Sequence, residues 1–128
     1  MEGINNLEEI LKNMTPTLNS GEYVFVSIQD LNEMPINDVV GHFREKEGVT
    51  IIIEKSKAEA LKLKYSYAAA WITLNVRSSL NTVGLTAAFS KELAKHGLSC
   101  NVVAGFYHDH IFVEYKNANK AIKVLSCM

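Results

Sequence analysis

Two histidines flank an aspartate at His108-Asp109-His110, inside CNVVAGFYHDHIFV at residues 100–113. On an extended strand, alternation puts both imidazoles on one face, where they would form half of a tetrahedral metal site. Zinc needs a third or fourth ligand, and Cys100 and His96 serve only if the fold brings them close. The same residues suggest a nucleophile, with Cys100 as the thiol and His108 or His110 as its base. Neither a local cysteine signature nor an orienting third group accompanies that pairing. The architectural reading is simpler. Gly105 permits tight geometry and Asp109 favours a turn, so HDH joins two strands and borders a ligand pocket through His108 and His110. The expectation is a chain with no catalytic residue, no bound metal and no cofactor.

Composition narrows the class further. A chain of 128 residues makes one ordinary domain or two very small ones that share a core. Its 48% hydrophobic and 21% charged residues match a globular mixture rather than a disordered one. Thirteen basic and fourteen acidic residues leave a net charge of −1, without the electrostatic footprint of a nucleic-acid binder. Tyr23, Phe25 and Trp71 fall in strands but have few lysines or arginines near them, unlike aromatic RNA platforms. No apolar run reaches the roughly 18 residues a membrane span needs, and the acidic start MEGINNLEEILKN is no secretory signal. Cys100 and Cys127 form no CxxC pair, which suits reduced thiols in a cytoplasmic protein.

The elements that must position these residues follow from periodicity. Ile4, Leu7, Ile10, Leu11 and Met14 share one helical face, and Thr15-Pro16 ends that helix. Asn19-Ser20-Gly21 reads as a turn before a strand at residues 23–29. Residues 30–48 are polar and irregular and are assigned to loop; within them Asp38 to Glu47 is a solvated face from which Arg44 could grip a carboxylate. A short strand at 49–53 precedes Ser56-Lys57-Ala58-Glu59, which has the form of a capping box opening a helix to about Lys64. The strand at 69–76 leads to a helix ending at His96, capped at its start by Ser78, Ser79 or Asn81 and closed by Gly97 and Leu98. Strands at 100–104 and 111–115 and a helix opened by Asn117 complete the second half. That half reads β-α-β-β-α, one strand short of a split βαβ unit, and the first half lacks a strand too. The two halves are expected to lend each other strands or to build one sheet jointly.

The joined segment SSLNTVGLTAAFSKELAKHGLSCNVVAGFYHDHIFV, with Gly21-Glu22-Tyr23-Val24-Phe25 and Arg44 to Thr50, resembles the ACT-domain superfamily. More closely, the chain is similar to a small family of about this length built from two ACT-like halves. The resemblance implies an α+β fold of tandem ferredoxin-like (ACT-type βαββαβ) halves, residues 1–64 and 65–128, with an antiparallel sheet and helices on one face. It also implies a non-catalytic regulatory protein that binds a small molecule, commonly an amino acid, at an ACT–ACT interface, working as a homodimer; the charge and hydropathy above speak against nucleic-acid and membrane partners. In such domains the ligand meets the loop between the first strand and first helix, here Ser78, Ser79, Asn81, Val83, Gly84 and Leu85. Asn101, Val102 and Val103 on the neighbouring strand would supply the facing wall. Free amides at a helix start suit a carboxylate, and glycine at 84 lets a backbone approach closely. Capping alone also accounts for Ser78, Ser79 and Asn81. The alternative from another class is a structural or protein-interaction module that uses a sheet edge and holds no small ligand.

Overall fold

The structure is a computed structural model that describes residues 7–75 and 82–128. Its first helix, α1, spans Leu7–Asn13 and carries Glu8 and Glu9 in the first turn, where acidic groups complement the helix dipole. Ile10 is its fully buried residue. The chain then enters β1, Thr15–Ile28, which runs unbroken through the expected turn at residues 19–21. The expected turn gives way to a strand for a physical reason. The Asn19 side chain does not fold back on its own backbone but donates across the sheet to Trp71 O at 3.2 Å and Thr73 Oγ1 at 3.0 Å.

Residues 30–48 likewise are not the loop expected of them. Two 3₁₀ turns, Leu31–Glu33 and Ile36–Asp38, lead into a strand, β2, at Val39–Arg44. Asp30 caps the first turn by accepting from the Asn32 amide at 2.9 Å. β2 is an edge strand with mostly exposed residues and a register irregularity between Val39 and Gly41, so its sequence has no clean two-residue alternation. β3 (Val49–Glu54) passes directly into α2 (Lys55–Ala60). The capping box at Ser56 is not used, because pairing of Glu54 with Tyr23 extends the strand and the helix already starts at Lys55. The remaining elements are β4 (Ala68–Asn75), α3 (Leu85–Lys95), β5 (Asn101–Ala104), β6 (Asp109–Glu114) and α4 (Ala118–Ser126).

The six strands form a sheet in the order β2-β3-β1-β4-β6-β5, with antiparallel ladders for β1–β3, β2–β3 and β5–β6. The fold is the expected α+β, ferredoxin-like arrangement. The chain divides into two compact units, one made of residues 1–20 with 70–128 and the other of residues 21–69. β1 contributes residues to both. Its first stretch thus supplies the strand that the second half of the sequence was expected to lack.

In the discontinuous unit, alternation sends Ile72 and Leu74 of β4 and Ile111 and Val113 of β6 into one apolar cluster. Ile10, Leu85, Phe89, Leu93, Ala121 and Leu125 from α1, α3 and α4 pack there too. The helices therefore cover one sheet face of this unit. In residues 21–69, Val24, Val26 and Ile28 meet Val49, Ile51 and Ile53 beneath Ala58 of α2. Each large aliphatic or aromatic side chain so buried contributes about 1.5–3 kcal/mol. No helix among the described residues is long and apolar enough to cross a membrane.

Candidate functional site

The candidate ligand loop is described from Thr82 onward; Ser78, Ser79 and Asn81 lie outside the described residues. The helix it precedes starts at Leu85, later than capping by those residues would place it. Gly84 is the N-cap with φ of 94°, a left-handed conformation that side-chain-bearing residues avoid. It offers no side-chain cap, and its carbonyl accepts the first helical bond from Ala88 at 2.9 Å. The amides of the first turn have no intrahelical acceptor by construction of the helix and point towards the loop. Val83 is 88% exposed beside them, whereas Leu85 turns inward at 3% and joins the core. A Cβ on Gly84 would stand 3.2 Å from Leu7 Cδ2, so α1 closes over the back of this turn.

The expected facing wall divides between the sheet faces. Val102 pairs with Ile111 and packs against the helix-side core that contains Leu85. Asn101 and Val103 are exposed and, by alternation, belong to the helix-free face. Val103 lies opposite His110 there, and Asn101 opposite Phe112.

The HDH segment is arranged differently from the turn expected. Ala104 pairs with Asp109, so Gly105-Phe106-Tyr107-His108 makes the connection and Asp109 and His110 already belong to β6. Gly105 N–H donates to His108 O at 2.9 Å to close it. Phe106 and Tyr107 project from the tip at 63% and 60% exposure and meet edge to face, 5.0 Å between ring centroids. Among the described residues no three histidine, cysteine or carboxylate side chains gather as a metal site would require. Burial pushes the Cys100 thiol above its ordinary range, which favours the thiol over the thiolate nucleophile.

His110 instead joins a polar network whose members lie far apart in the sequence. The Trp71 indole N–H donates to its Nδ1 at 3.0 Å, and Thr73 Oγ1 lies 3.2 Å from the same atom. Thr73 in turn accepts from Asn19. Indole is a donor only, so Nδ1 carries no proton and the ring is the neutral Nε2–H tautomer. Burial lowers the His110 pKa, His108 lowers it further and Asp109 opposes them. Strand alternation in AAWITLN placed Trp71 and Thr73 together on the face opposite Ile72 and Leu74, the one available signal. Asn19, 52 positions from Trp71, gave none.

A second polar region belongs to the unit of residues 21–69. Gly21, Glu22, Glu54, Lys55, Ser56 and Glu59 line an open cleft of about 240 Å³. Lys55 pairs with Glu22 at 3.6 Å, and Lys57 with Asp38 at 2.9 Å.

Comparison with known proteins agrees across both halves of the sequence. A family model described as an ACT domain matches residues 2–70, and a second ACT-domain model matches residues 66–127. A Vibrio cholerae protein of unknown function, described as a possible transport protein, has a TM-score of 0.86 and 44% identity over 94% of this chain and 93% of its own. The ligand-free regulatory subunit of aspartate kinase from Thermus thermophilus aligns with a TM-score of 0.59 at 10% identity, over 87% of this chain and 94% of its own. The Clostridium acetobutylicum aspartate kinase, an allosteric enzyme, aligns with a TM-score of 0.60 at 14% identity; 88% of this chain matches 33% of that one. No curated protein sequence matches the chain.

Proposed function

The chain belongs to the ACT-domain family, and on that premise we propose that it is a non-catalytic regulatory protein that binds an amino acid at an ACT–ACT interface. Residues 1–64 and 65–128 act as its two ACT-like halves, in a cytoplasmic homodimer. The observation that carries this reading is the succession of two ACT-domain matches, at residues 2–70 and 66–127, with little of the chain left over. The shared fold with an aspartate kinase regulatory subunit, matched over 94% of that subunit, supports a regulatory rather than a catalytic role. Ligand would bind at Ser78, Ser79, Asn81, Val83 and Gly84, with its carboxylate on the first-turn amides of α3. Leu85, Asn101, Val102 and Val103 would flank it, and His108 and His110 would border it. Binding there stabilises one assembly state and so alters the activity of a separate partner chain.

The test is thermal unfolding against each of the twenty amino acids. Selective binding to the folded state must raise Tm in a saturable way, by about 2.7 kcal/mol of added stability at one hundred times Kd. Val83→Glu, a change at an exposed position, sets a carboxylate at the helix start and should remove the shift without lowering the ligand-free Tm. Absence of a shift with every amino acid would overturn the sensor reading in favour of the interaction module.

A further inference from the structure

We propose that His110 is a proton-operated latch on the helix-free face of the discontinuous unit: the neutral imidazole holds Trp71 in place, and protonation at Nδ1 releases it. This role is separate from ligand binding at the start of α3. It stands on hydrogen-bond geometry. Nδ1 accepts from the Trp71 indole at 3.0 Å, and an indole N–H cannot reverse its role. A proton on Nδ1 therefore sets two donors against each other.

The neighbouring groups cannot absorb that conflict equally. Thr73 can turn its hydroxyl and accept from Nδ1, since it lies 3.2 Å away and has a second lone pair. Trp71 has no such adjustment towards His110. Its ring sits 5.8 Å from the imidazole and is stacked on Phe112 at 6.3 Å. Phe112 is only 2% exposed, so displacing Trp71 opens an aromatic surface that the neutral state covers. On the other side of the imidazole lies Gly105, where a Cβ would meet the ring at 3.2 Å from Nε2 and 3.3 Å from Cδ2. His110 thus lies between Trp71 and the β5–β6 connection that carries Phe106 and Tyr107.

Asp109 on β6 and His108 in the connection act on His110, in opposite directions. Glu114 lies further along β6, while the facing residues Val103 on β5, Thr73 on β4 and Asn19 on β1 do not titrate. Partial burial disfavours the charged ring and places the release below the ordinary histidine value of about 6.5.

Trp71 is the only tryptophan in the chain, which makes its emission a direct readout. The full-length protein is titrated from pH 8 to 4.5, with tryptophan emission and far-ultraviolet circular dichroism followed together. Wild type should lose emission intensity and shift to the red, reversibly, with a midpoint below about 6.5 and unchanged circular dichroism. His110→Gln should abolish that transition, and His108→Gln should keep it. Independently of whether His110→Gln folds, imidazole nitrogen NMR of wild type at pH 8 should show His110 Nδ1 unprotonated and accepting. A flat wild-type titration, persistence in His110→Gln, loss in His108→Gln, a protonated Nδ1 at pH 8, or emission that changes only with circular dichroism would each overturn the latch.

Discussion

Lys62 occupies, after α2, the backbone position that Gly97 occupies after α3. Both are left-handed, with φ of 58° and 74°. In each case the following residue closes the turn: Leu63 N–H donates to Ala58 O at 2.9 Å, and Leu98 N–H donates to Leu93 O at 2.9 Å. The shared pattern is the Schellman end of a helix, which glycine suits and other residues strain. One helix end obeys the usual chemistry and the other resists it.

Exchange of these residue types should therefore have opposite signs. Lys62→Gly is expected to raise stability by about 0.5–1 kcal/mol, since it relieves a left-handed residue at a helix end. Gly97→Ala should lower it by about 1–2 kcal/mol from backbone strain alone, because no atom lies within 4 Å of the new Cβ. Urea unfolding of both variants at unchanged m-value checks the pair.

Gly84 combines both costs. Gly84→Ala meets a φ of 94° and brings its Cβ to 3.2 Å from Leu7 Cδ2. Its loss of stability should exceed that of Gly97→Ala, and trimming the contact with Leu7→Ala in the same chain should recover part of the difference. A double-mutant cycle by thermal or urea unfolding measures that coupling.

Phe89 tests the core of the discontinuous unit. It is fully buried among residues of three helices and two strands. Phe89→Ala should cost about 3–5 kcal/mol, which is most of the stability of a small domain. Phe43→Ala on β2, where the ring is 71% exposed, should change stability by no more than about 0.5 kcal/mol.

The pH dependence of stability has two signatures. His110 binds protons less readily folded than unfolded, so its contribution is complete above the ordinary histidine value and is lost as pH falls through its lowered folded one. Asp109 is the reverse. Burial pushes its carboxyl up, so folding loses stability as pH rises from the ordinary aspartate value through the raised one. Urea midpoints should therefore fall from pH 7.5 to pH 5.5 in wild type and fall less in His110→Gln. Asp109→Asn should be more stable than wild type at pH 7, with the gain disappearing in acid.

The parts of the fold legible in the sequence are those governed by local chemistry. Gly97-Leu98 after an amphipathic helix specifies its own ending, and the alternation in AAWITLN marks a strand with distinct faces. β2 was missed because an exposed edge strand with a bulge at Val39/Gly41 needs no apolar alternation. The turn assigned to Asn19-Ser20-Gly21 failed because asparagine's preference for turns yielded to partners 52 and 54 positions away. The same distance hid the candidate polar site: HDH was visible as chemistry, but what His110 touches depends on which strand lies beside it. The loop Gly105–His108 shows the limit most directly, since β6 begins at Asp109, two residues before the expected strand, and pairing with Ala104 takes Asp109 out of the turn.

β1 gives the two ACT matches a shared inheritance. The family matches meet near residues 66–70, but the unit containing α3 and α4 also takes residues 1–20 from the far end of the chain. A gene broken at the join would leave its downstream product without Asn19, the donor to Trp71 and Thr73. The two repeats are thus indivisible by recombination at their apparent seam: an exchange there would separate a strand from the body it completes. Shuffling of this module between genomes should move both repeats together or neither.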